Sequence, residues 1–292
     1  MRMVHAVGKW SSRFGLVFSE ADEAGVGVAR EIIRLTRPIE RVECKGDRCV
    51  EAYFLPDLDA YLVGFNVDII YFDFLDDFFD VESYIFLSRH KAEAGRKSLT
   101  VHHTGNPLNQ AGHGGKPLEL SISNSHLSKK LFKTLWRKAG EAGLTGEYDV
   151  TLEATHHGPT NLSKPLTFIE IGSTPIEWRD QRARRVIAET VIESIQDPPG
   201  EDYCVPVAGY GGGHYPVKHT KIHLEKEYCY GHILAKYAFT DGVKAEVILQ
   251  TLEKNYPRPV ELGIIEKKSL RSQLRKDLIR ILEDSGVDYM FI

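Results

Sequence analysis

The chain has 292 residues, of which 42% are hydrophobic and 27% are charged, and its formal net charge is −4. These values are typical of a globular protein with a sizeable core. No apolar stretch approaches the roughly 20 residues of a membrane span, so we expect no membrane partner. The acidic balance also excludes a globally basic surface, and any contact with nucleic acid would have to use a local basic patch.

The N-terminal sequence and the cysteines both bear on the cellular compartment. Residues 1–8 show no signal-peptide layout, and we expect a cytoplasmic protein that is a monomer. The cysteines form no CxxC pair, which predicts reduced, structural thiols at Cys44, Cys49, Cys204 and Cys229. A disulfide or a metal half-site formed by Cys44 and Cys49 is the alternative.

Hydrophobic periodicity predicts that strands and helices alternate along the chain. Strands are predicted at residues 3–7, 51–55, 60–64, 84–87, 98–101, 146–152, 166–171, 203–207, 230–237 and 260–264. Helices are predicted at residues 19–35, 123–140, 181–195, 243–252 and 269–282, with one more beginning at Pro216. This alternation predicts a three-layer α/β/α fold with a mixed, mostly parallel sheet, formed by residues 1–292 as a single domain.

Two details of the N-terminal half lead to specific expectations. Ser19 is predicted to cap the first helix, and Pro38 ends it. The segment 69–79 carries five aromatic residues among acidic ones. A buried amphipathic element is favoured there over an aromatic platform for a ligand.

Residues 152–159, LEATHHGP, contain the densest group of reactive side chains. A predicted strand delivers Glu153, and His156 and His157 follow before a Gly-Pro break. Strand ends that run into polar, glycine-punctuated turns are where α/β proteins commonly place chemistry. Glu and His are ligands that zinc accepts and groups that exchange protons near neutral pH. The pattern therefore predicts a metal or acid–base site, and a hydrogen-bonded strand end without metal is the alternative.

Two further strand ends finish in histidine and glycine. One predicted strand runs into His102 and His103, and another leads to Gly-Gly-Gly-His-Tyr-Pro, which contains His214. The repetition predicts that at least two of the three strand ends share one pocket. His102 or His103, together with His214, would then complete a metal site that includes Glu153.

The three consecutive glycines Gly211, Gly212 and Gly213 allow the backbone to approach a ligand closely. Their amides are candidates to stabilise an oxyanion or a phosphate. The stretch lacks the Lys-Ser/Thr of a Walker motif and the spacing of a GxGxxG dinucleotide loop. A tight turn that needs positive φ angles is the alternative.

His219 and His223 have the spacing of a metal pair on one helical face. A metalloprotease HExxH motif would place a Glu directly after the first histidine, to act as general base. Thr220 occupies that position, so the motif is absent.

Ser88, Arg89 and His90 place a hydroxyl, a cation and an imidazole at a strand end. A nucleophilic Ser/His pair would need an orienting third group and an oxyanion hole, and no GxSxG surrounds Ser88. We therefore interpret Arg89 and His90 as contacts to an anion or a substrate.

Four of these motifs, in this order and spacing, resemble the archaeal and plant type of D-aminoacyl-tRNA deacylase. They are SRH at 88–90, SLTVHHTGN at 98–106, ATHHGP at 154–159 and GGGHY at 211–215. The resemblance extends over nearly the whole chain. It implies a zinc-dependent hydrolase that converts D-aminoacyl-tRNA to tRNA and a D-amino acid, with a fold similar to phosphorylase and peptidyl-tRNA-hydrolase-like proteins.

The resemblance implies site roles for Arg89, His90, His103, Glu153, His156, His157 and His214. We add the other candidates from the motifs above and divide the whole set by role. The catalytic candidates are Glu153, His156, His157 and His90. The substrate-binding candidates are Arg89, Gly211, Gly212, Gly213 and Tyr215. The metal-ligand candidates are His102, His103, His156 and His214. Zinc is the implied cofactor and tRNA the implied partner.

Hydrolysis of an aminoacyl ester needs an activated water, a stabilised oxyanion and a protonated leaving group. Zinc lowers the pKa of a bound water to about 7 and polarises a carbonyl. If Glu153 is not a ligand, it is the natural general base, and His156 or His157 then protonates the ribose oxygen.

The implied tRNA would be bound largely through its phosphates. The candidate basic segments are residues 129–138, the helix start near Arg182 and the helix start near Lys267. Two other functions use the same residues. A metallopeptidase or amidohydrolase would not need the tRNA part of the substrate, and a non-enzymatic RNA-binding protein would carry structural histidines.

Overall fold

Eighteen strands and eight α-helices alternate along residues 8–92 and 95–292, which are the residues that the structure, a computed structural model, describes. The strands are β1 (Trp10–Ser11), β2 (Phe14–Ser19), β3 (Glu40–Val42), β4 (Cys49–Leu55), β5 (Ala60–Phe65), β6 (Phe79–Asp80), β7 (Ser83–Lys91), β8 (Ser98–His102), β9 (Gly105–Asn106), β10 (Glu119–Leu120), β11 (Ser123–Asn124), β12 (Asp149–Leu152), β13 (Leu166–Ser173), β14 (Val205–Tyr210), β15 (Tyr228–Leu234), β16 (Asn255–Tyr256), β17 (Leu262–Ile265) and β18 (Asp288–Phe291). The helices are α1 (Glu23–Leu35), α2 (Ser125–Glu141), α3 (Pro175–Trp178), α4 (Gln181–Gln196), α5 (Val217–Glu225), α6 (Lys236–Thr240), α7 (Ala245–Glu253) and α8 (Ser272–Asp284). The strand predicted at residues 3–7 lies outside the described residues.

Ten of the strands form one large sheet. Its order is β12-β8-β13-β7-β2-β5-β4-β3, and β11 and β16 join it beside β13. β13, β7, β2 and β5 run parallel to one another, as do β8 and β12. β8 meets β13, and β5 meets β4, in antiparallel pairs. The predicted α/β class with a mixed, mostly parallel sheet is confirmed.

A second, smaller sheet is wholly parallel and has the order β15-β14-β17-β18. Parallel neighbours cannot be joined by a tight turn and need a crossover. Helix α5 connects β14 to β15, α6 and α7 connect β15 to β17, and α8 connects β17 to β18. The final strand, β18, is a strand that the sequence pattern does not predict.

The two faces of the large sheet have different cores. Successive strand residues point to opposite faces. In β7, Ile85 and Leu87 therefore pack in the core formed with α1, α2 and α4, while Tyr84 and Phe86 pack in a second core on the opposite face. In residues 8–92 and 95–292, no helix combines the length and the apolar character needed to cross a bilayer.

Helix α1 starts later than predicted, with Asp22 as its N-cap. The Asp22 carboxylate accepts a hydrogen bond of 2.8 Å from the amide of Gly25. The predicted cap, Ser19, is wrong because the pairing of β2 with β5 continues through Ser19 and keeps it extended.

The second core is aromatic. Residues 69–79 form two short 3-10 turns, Ile69–Tyr71 and Leu75–Asp77, between which Phe72 points inward. The Phe72 ring lies 5.2 Å from the Phe65 ring, centroid to centroid, in an edge-on arrangement that suits aromatic pairs. The predicted buried amphipathic element is confirmed.

The helix-side core includes residues of both sheets. Val207 and Ile233 of the small sheet share it with Leu127 and Leu131 of α2 and with Leu99 of the large sheet. Helix α2 thus packs between the two sheets. The single-domain organisation of residues 1–292 stays a prediction.

The cysteines are paired, which contradicts the expectation of reduced thiols. The Cα atoms of Cys44 and Cys49 are 5.5 Å apart, those of Cys204 and Cys229 are 5.8 Å apart, and both pairs are disulfides. These separations are in the range that a disulfide requires. The second pair was not predictable because the two residues are distant in sequence, and only the parallel pairing of β14 with β15 makes them neighbours.

The aromatic core leads to a stability prediction. Phe72 is fully buried, whereas its neighbour Tyr71 is 51% exposed. We expect Phe72→Ala to lower the free energy of unfolding by about 3–5 kcal/mol, since it leaves a cavity in a packed core. Tyr71→Ala, as the control, should change it by about 0.5 kcal/mol or less. Urea denaturation monitored by circular dichroism measures both, and equal losses would contradict the described packing.

Candidate metal and catalytic site

A row of three side chains crosses the aromatic face of the large sheet. Strand pairing places His90 of β7 beside Gly172 of β13, and His102 of β8 beside Phe168. Glu170 lies midway between these positions on β13, and residues two apart share a face. His90 Nδ1 and His102 Nε2 each lie 3.5 Å from Glu170 Oε2.

The turn after β12 supplies the second group of side chains. Glu153 directly follows the strand, and the next two amides donate hydrogen bonds to the turn after β14 and to β15. The amide of Ala154 donates to the carbonyl of His214, and that of Thr155 to the carbonyl of Ile233, both at 2.8 Å. The turn is thereby fixed between the two sheets. Residues of all three predicted strand ends meet here, as expected.

The carboxylate of Glu153 is the centre of this cluster, and its side chain is completely buried. His214 Nε2 lies 2.9 Å from Oε2, and His90 Nδ1 lies 3.1 Å from Oε1. His156 Nε2 lies 3.5 Å from Oε2. Within the described part of the chain, neither oxygen has a well-aligned hydrogen-bond donor. Two buried acceptor atoms are therefore left for another partner.

Backbone carbonyls orient the rings of His156 and His157. His156 Nδ1 lies 2.8 Å from the carbonyl of Ala154, and His157 Nδ1 lies 2.6 Å from the carbonyl of Gly158. Each Nδ1 therefore carries the proton, and each Nε2 keeps its lone pair. The φ angle of His157 is 44°, in the left-handed region that non-glycine residues rarely adopt. Strained backbone of this kind is concentrated at functional sites.

The deepest part of the cluster is charged. Burial alone would lower the pKa of His90, but its contacts with Glu153 and Glu170 raise it to about 10. Burial alone would raise the pKa of both carboxylates. His214 and His90 nevertheless hold the pKa of Glu153 well below its usual range, and His102 lowers that of Glu170. At neutral pH, protonated His90 thus faces two carboxylates.

The imidazoles of His156 and His157 are neutral. Burial and the neighbouring ring of His157 lower the pKa of His156 well below its usual range. Burial and the ring of His102 lower the pKa of His157 to about 4. Neutral imidazole is the form that binds a metal or accepts a proton.

These side chains fit a metal ion. The ligand atoms of His90, Glu153, His156 and His214 all lie within 4.8 Å of one another. Imidazole nitrogens and a carboxylate oxygen are ligands of catalytic zinc sites. The Glu153 oxygens, buried without an aligned donor, are suited to a cation. The donor set of Glu153, His156 and His214 therefore supports a metal site, as the sequence predicts, while protonated His90 lies beside it.

His103, which the sequence predicts as a ligand, lies outside this cluster. His103 Nδ1 lies 2.7 Å from the carbonyl of Gly231, and Nε2 lies 3.4 Å from the hydroxyl of Thr167. Successive residues of an extended chain point in opposite directions, so His102 faces the cluster and His103 faces away from it. His103 is a buried, hydrogen-bonded structural histidine.

Gly211 and Gly212 shape the turn before His214. The Gly211 amide donates to the carbonyl of Leu234 at 2.8 Å, and the Gly212 amide donates to the hydroxyl of Ser269 at 2.7 Å. Their φ angles are 104° and 80°, which favours glycine. The amide donors of these two residues are already used within the protein, and their substrate-binding role stays a prediction. A role for Gly213 stays a prediction.

His219 and His223 do not form a metal pair. His219 Nδ1 lies 2.9 Å from the hydroxyl of Tyr230, and His223 Nδ1 accepts a hydrogen bond of 3.1 Å from the amide of Tyr230. Both side chains are fully buried. They join helix α5 to β15.

A pocket of about 630 Å³ opens over the cluster. Among the predicted site residues, its lining contains Arg89, His90, His156, His157, His214 and Tyr215. The Tyr215 hydroxyl lies 2.8 Å from His90 Nε2. The side chain of Arg89 donates to the carbonyl of Ala21 at 3.0 Å.

The lining residues that the sequence does not predict include Glu170, Asp22 and Tyr237. The signal for Glu170 is a single carboxylate inside the apolar run 166–171, since a charge in a buried strand needs a partner. Asp22 is not predicted because the sequence favours a helix N-cap at Ser19, which puts Asp22 inside the helix. Tyr237 follows β15 in a stretch without a distinguishing pattern.

Comparison with known proteins identifies the family. The family model described as D-aminoacyl-tRNA deacylase matches residues 77–290. The chain belongs to this deacylase family. Proteins named D-aminoacyl-tRNA deacylase from Aeropyrum pernix and Staphylothermus marinus are 42% and 43% identical to it, and each match covers 96% of this chain and 100% or 99% of the relative.

A solved structure of a conserved protein of unknown function is also similar to this deacylase-family chain. It superposes with a TM-score of 0.86 at 31% sequence identity. The match covers 96% of this chain and 95% of the other. The α/β architecture described above is therefore shared over nearly the full length.

The pocket carboxylate Asp22 leads to a pH prediction. Burial raises its pKa to about 6, against the opposing effect of its backbone hydrogen bonds. Because the folded pKa exceeds the unfolded one, the stability from this group is fully present below about pH 4 and is lost as the pH rises through about 6. Asp22→Asn keeps the helix cap and removes the titration. We expect the stability of the variant relative to wild type to rise by about 2–3 kcal/mol between pH 4 and pH 7.

Urea denaturation of both proteins at each pH measures this difference. Asp57→Asn, at an exposed carboxylate, controls for the loss of one negative charge. A difference between the Asp22 variant and wild type that stays constant with pH would contradict the assignment.

Proposed function

We propose that the protein hydrolyses the ester bond of D-aminoacyl-tRNA, releasing tRNA and a D-amino acid. The observation that carries this proposal is the near-full-length similarity to two proteins named for that activity. The site supports it independently. A pocket over neutral histidines, a charged histidine and buried carboxylates has the groups that ester hydrolysis requires.

We propose that Glu153, His156 and His214 hold a zinc ion, since two imidazoles and one carboxylate form an established catalytic zinc set. Zinc bound there supplies a water of lowered pKa and polarises the ester carbonyl. Glu153 is buried and does not line the pocket, which favours the ligand role over the predicted role of general base.

His157 is then the group that exchanges protons with the water and the leaving ribose. Its Nδ1–H is held by the carbonyl of Gly158, so Nε2 accepts a proton. Its low pKa keeps it neutral, and it lines the pocket. After accepting the proton of the water, the imidazolium can donate it to the ribose oxygen, which is the sequence of steps expected of one acid–base group.

His90 and Tyr215 replace the glycine amides as the group that stabilises the oxyanion. Protonated His90 donates from Nε2 to the Tyr215 oxygen at 2.8 Å, which also contacts the side chains of Ser98 and Ser173, so the positive charge of His90 is what this pair offers to the oxyanion. A donor aimed at developing negative charge is a large contribution to acyl transfer. Glu170, together with Glu153, keeps His90 charged.

The deciding measurement is deacylation of paired D- and L-aminoacyl-tRNA, before and after treatment with a chelator and after zinc is restored. We expect rapid loss of the D ester, sparing of the L ester, and recovery with zinc. Absence of turnover of both esters by zinc-replete protein would contradict the proposal. Turnover that the chelator does not change would support the proposed substrate and contradict the proposed need for zinc.

Variants separate the ligands from the structural histidines. We expect His214→Ala to lose the bound zinc and to lower kcat/KM by at least about 100-fold, since removal of a ligand removes the activated water. The matched control is His103→Asn, which lies next to the cluster but faces away from it. It should keep the zinc content of wild type, measured by elemental analysis of folded protein.

The basic segments differ in their capacity to bind tRNA. In α2, Lys130 pairs with Asp197 at 2.8 Å, and Lys129 is buried among backbone carbonyls. In α4, Arg182 pairs with Glu147 at 2.9 Å. Charges neutralised in this way attract phosphate weakly. Lys129, Lys130 and Arg182 therefore contribute little to tRNA binding, and contacts from the rest of the two segments stay a prediction.

The third basic segment, before and within the first turn of α8, is better placed. Lys267, Lys268 and Arg271 are exposed, and for the latter two no carboxylate of the described residues lies within 4.0 Å. The segment adjoins the site because the Ser269 hydroxyl accepts from the amide of Gly212, two residues before His214. We propose that it binds phosphates of the tRNA acceptor end.

A charge-reversal test checks this surface. We expect Lys268→Glu with Arg271→Glu to weaken tRNA binding and to reduce the slope of log K against log salt by about 2, one for each lost phosphate contact. The control, Lys130→Glu, alters a lysine that is already paired. Binding of uncharged tRNA over a salt series measures both, and an unchanged slope in the double variant would contradict the surface.

A further inference from the structure

A second group of metal-binding side chains lies away from the pocket. His126, Cys204 and Cys229 offer one nitrogen and two sulfur atoms that lie within 4.8 Å of one another, and all three side chains are buried. His126 belongs to the first turn of α2, Cys204 directly precedes β14, and Cys229 lies in β15. No step of the proposed hydrolysis uses these residues.

The ring of His126 is oriented as in a metal ligand. His126 Nε2 lies 2.9 Å from the carbonyl of Glu201, which fixes the proton on that nitrogen. The lone pair of Nδ1 then points to Cys229, whose sulfur lies 3.8 Å away. Metal-binding histidines commonly donate their other N–H to a carbonyl in this way.

The group lies close to the surface. A pocket of about 210 Å³ has His126 and Glu201 in its lining, and the two cysteines lie behind it. Residues 200–203, immediately before Cys204, form an exposed turn, and movement of this turn would expose the disulfide to a small reductant.

We propose that the reduced protein binds a second zinc-type divalent ion through His126, Cys204 and Cys229. The cysteines form a disulfide in this structure, and a disulfide sulfur is a poor ligand, so reduction comes first. A dithiol transfers two electrons: its own sulfurs become a disulfide, and Cys204 and Cys229 become thiols. The metal then displaces two protons as two metal–thiolate bonds form.

The charges balance in such a site. Two thiolates and one neutral imidazole neutralise a divalent cation, so no net charge remains buried. The fourth position of a tetrahedral site is open to Ser125, whose hydroxyl lies 3.3 Å from His126 Nδ1, or to a water from the pocket.

The disulfide-bonded state and the reduced, metal-bound state connect different elements of the fold. The disulfide links β14 to β15, which are already paired in the small sheet. A metal ion would add α2 to the same junction. The chain between the two cysteines, residues 205–228, includes His214 and Tyr215. The reduced, metal-bound state therefore fixes the segment that carries part of the proposed active site against helix α2.

Cobalt substitution tests the site without an activity assay. The protein is reduced with a dithiol, freed of excess reductant without oxygen, assayed for thiols by mass spectrometry, and titrated with Co²⁺. In reduced protein we expect a thiolate-to-cobalt charge-transfer band whose final intensity corresponds to one thiolate-bound cobalt per chain, whether or not the pocket site also takes up cobalt. The band cannot come from the pocket ligands because they contain no sulfur. Unreduced protein is the matched control and should show no band.

Variants assign the ligands. Cys44→Ser with Cys49→Ser should keep the band, and Glu153→Gln should also keep it. His126→Ala should weaken cobalt binding at this site by about tenfold or more, since one of three ligands is lost. Absence of the band in fully reduced wild type, its dependence on Cys44 or Cys49, or unchanged cobalt affinity in His126→Ala would each overturn the proposal. Absence of D-aminoacyl-tRNA hydrolysis would not contradict this second metal site, because no step of the hydrolysis uses its residues.

Discussion

The contacts of one buried carboxylate, Glu153, are the interactions on which the rest of the site depends. A fully buried carboxylate is costly unless it is paired, and the histidines around Glu153 come from three separate parts of the chain. His90 comes from the middle of the large sheet, His156 from the turn after β12, and His214 from the turn after β14. Both sheets must therefore be packed correctly before Glu153 has its partners.

The sequence alone predicts a substantial part of this arrangement. The polar turns after apolar strands predict the region around Glu153 and the participation of His214, because strand, turn and reactive side chain are adjacent in the chain. The α/β alternation likewise predicts the mixed, mostly parallel sheet. Local signals succeed wherever the relevant neighbours lie within a few residues of one another.

The sequence does not predict the parts of the site whose positions depend on which strands pair and in which register. Which of His102 and His103 faces the cluster depends on the antiparallel pairing of β8 with β13, and no local pattern encodes that register. Glu170 lies between two histidines only because its strand is placed between β7 and β8. The Cys204–Cys229 pair likewise requires two parallel strands to be adjacent, and parallel neighbours are joined by long crossovers.

The dispersed origin of the Glu153 cluster links metal binding to folding. Residues 90, 153 and 214 are separated by about 60 positions at each step, and the unfolded chain gains little by gathering them, because closing loops of that length is entropically unfavourable. An ion held by this cluster would bind the native state and largely ignore the unfolded one. At a free concentration of 100 times its dissociation constant, such an ion adds about 2.7 kcal/mol to the unfolding free energy. Metal supply would then set the stability of the folded protein as well as its chemistry.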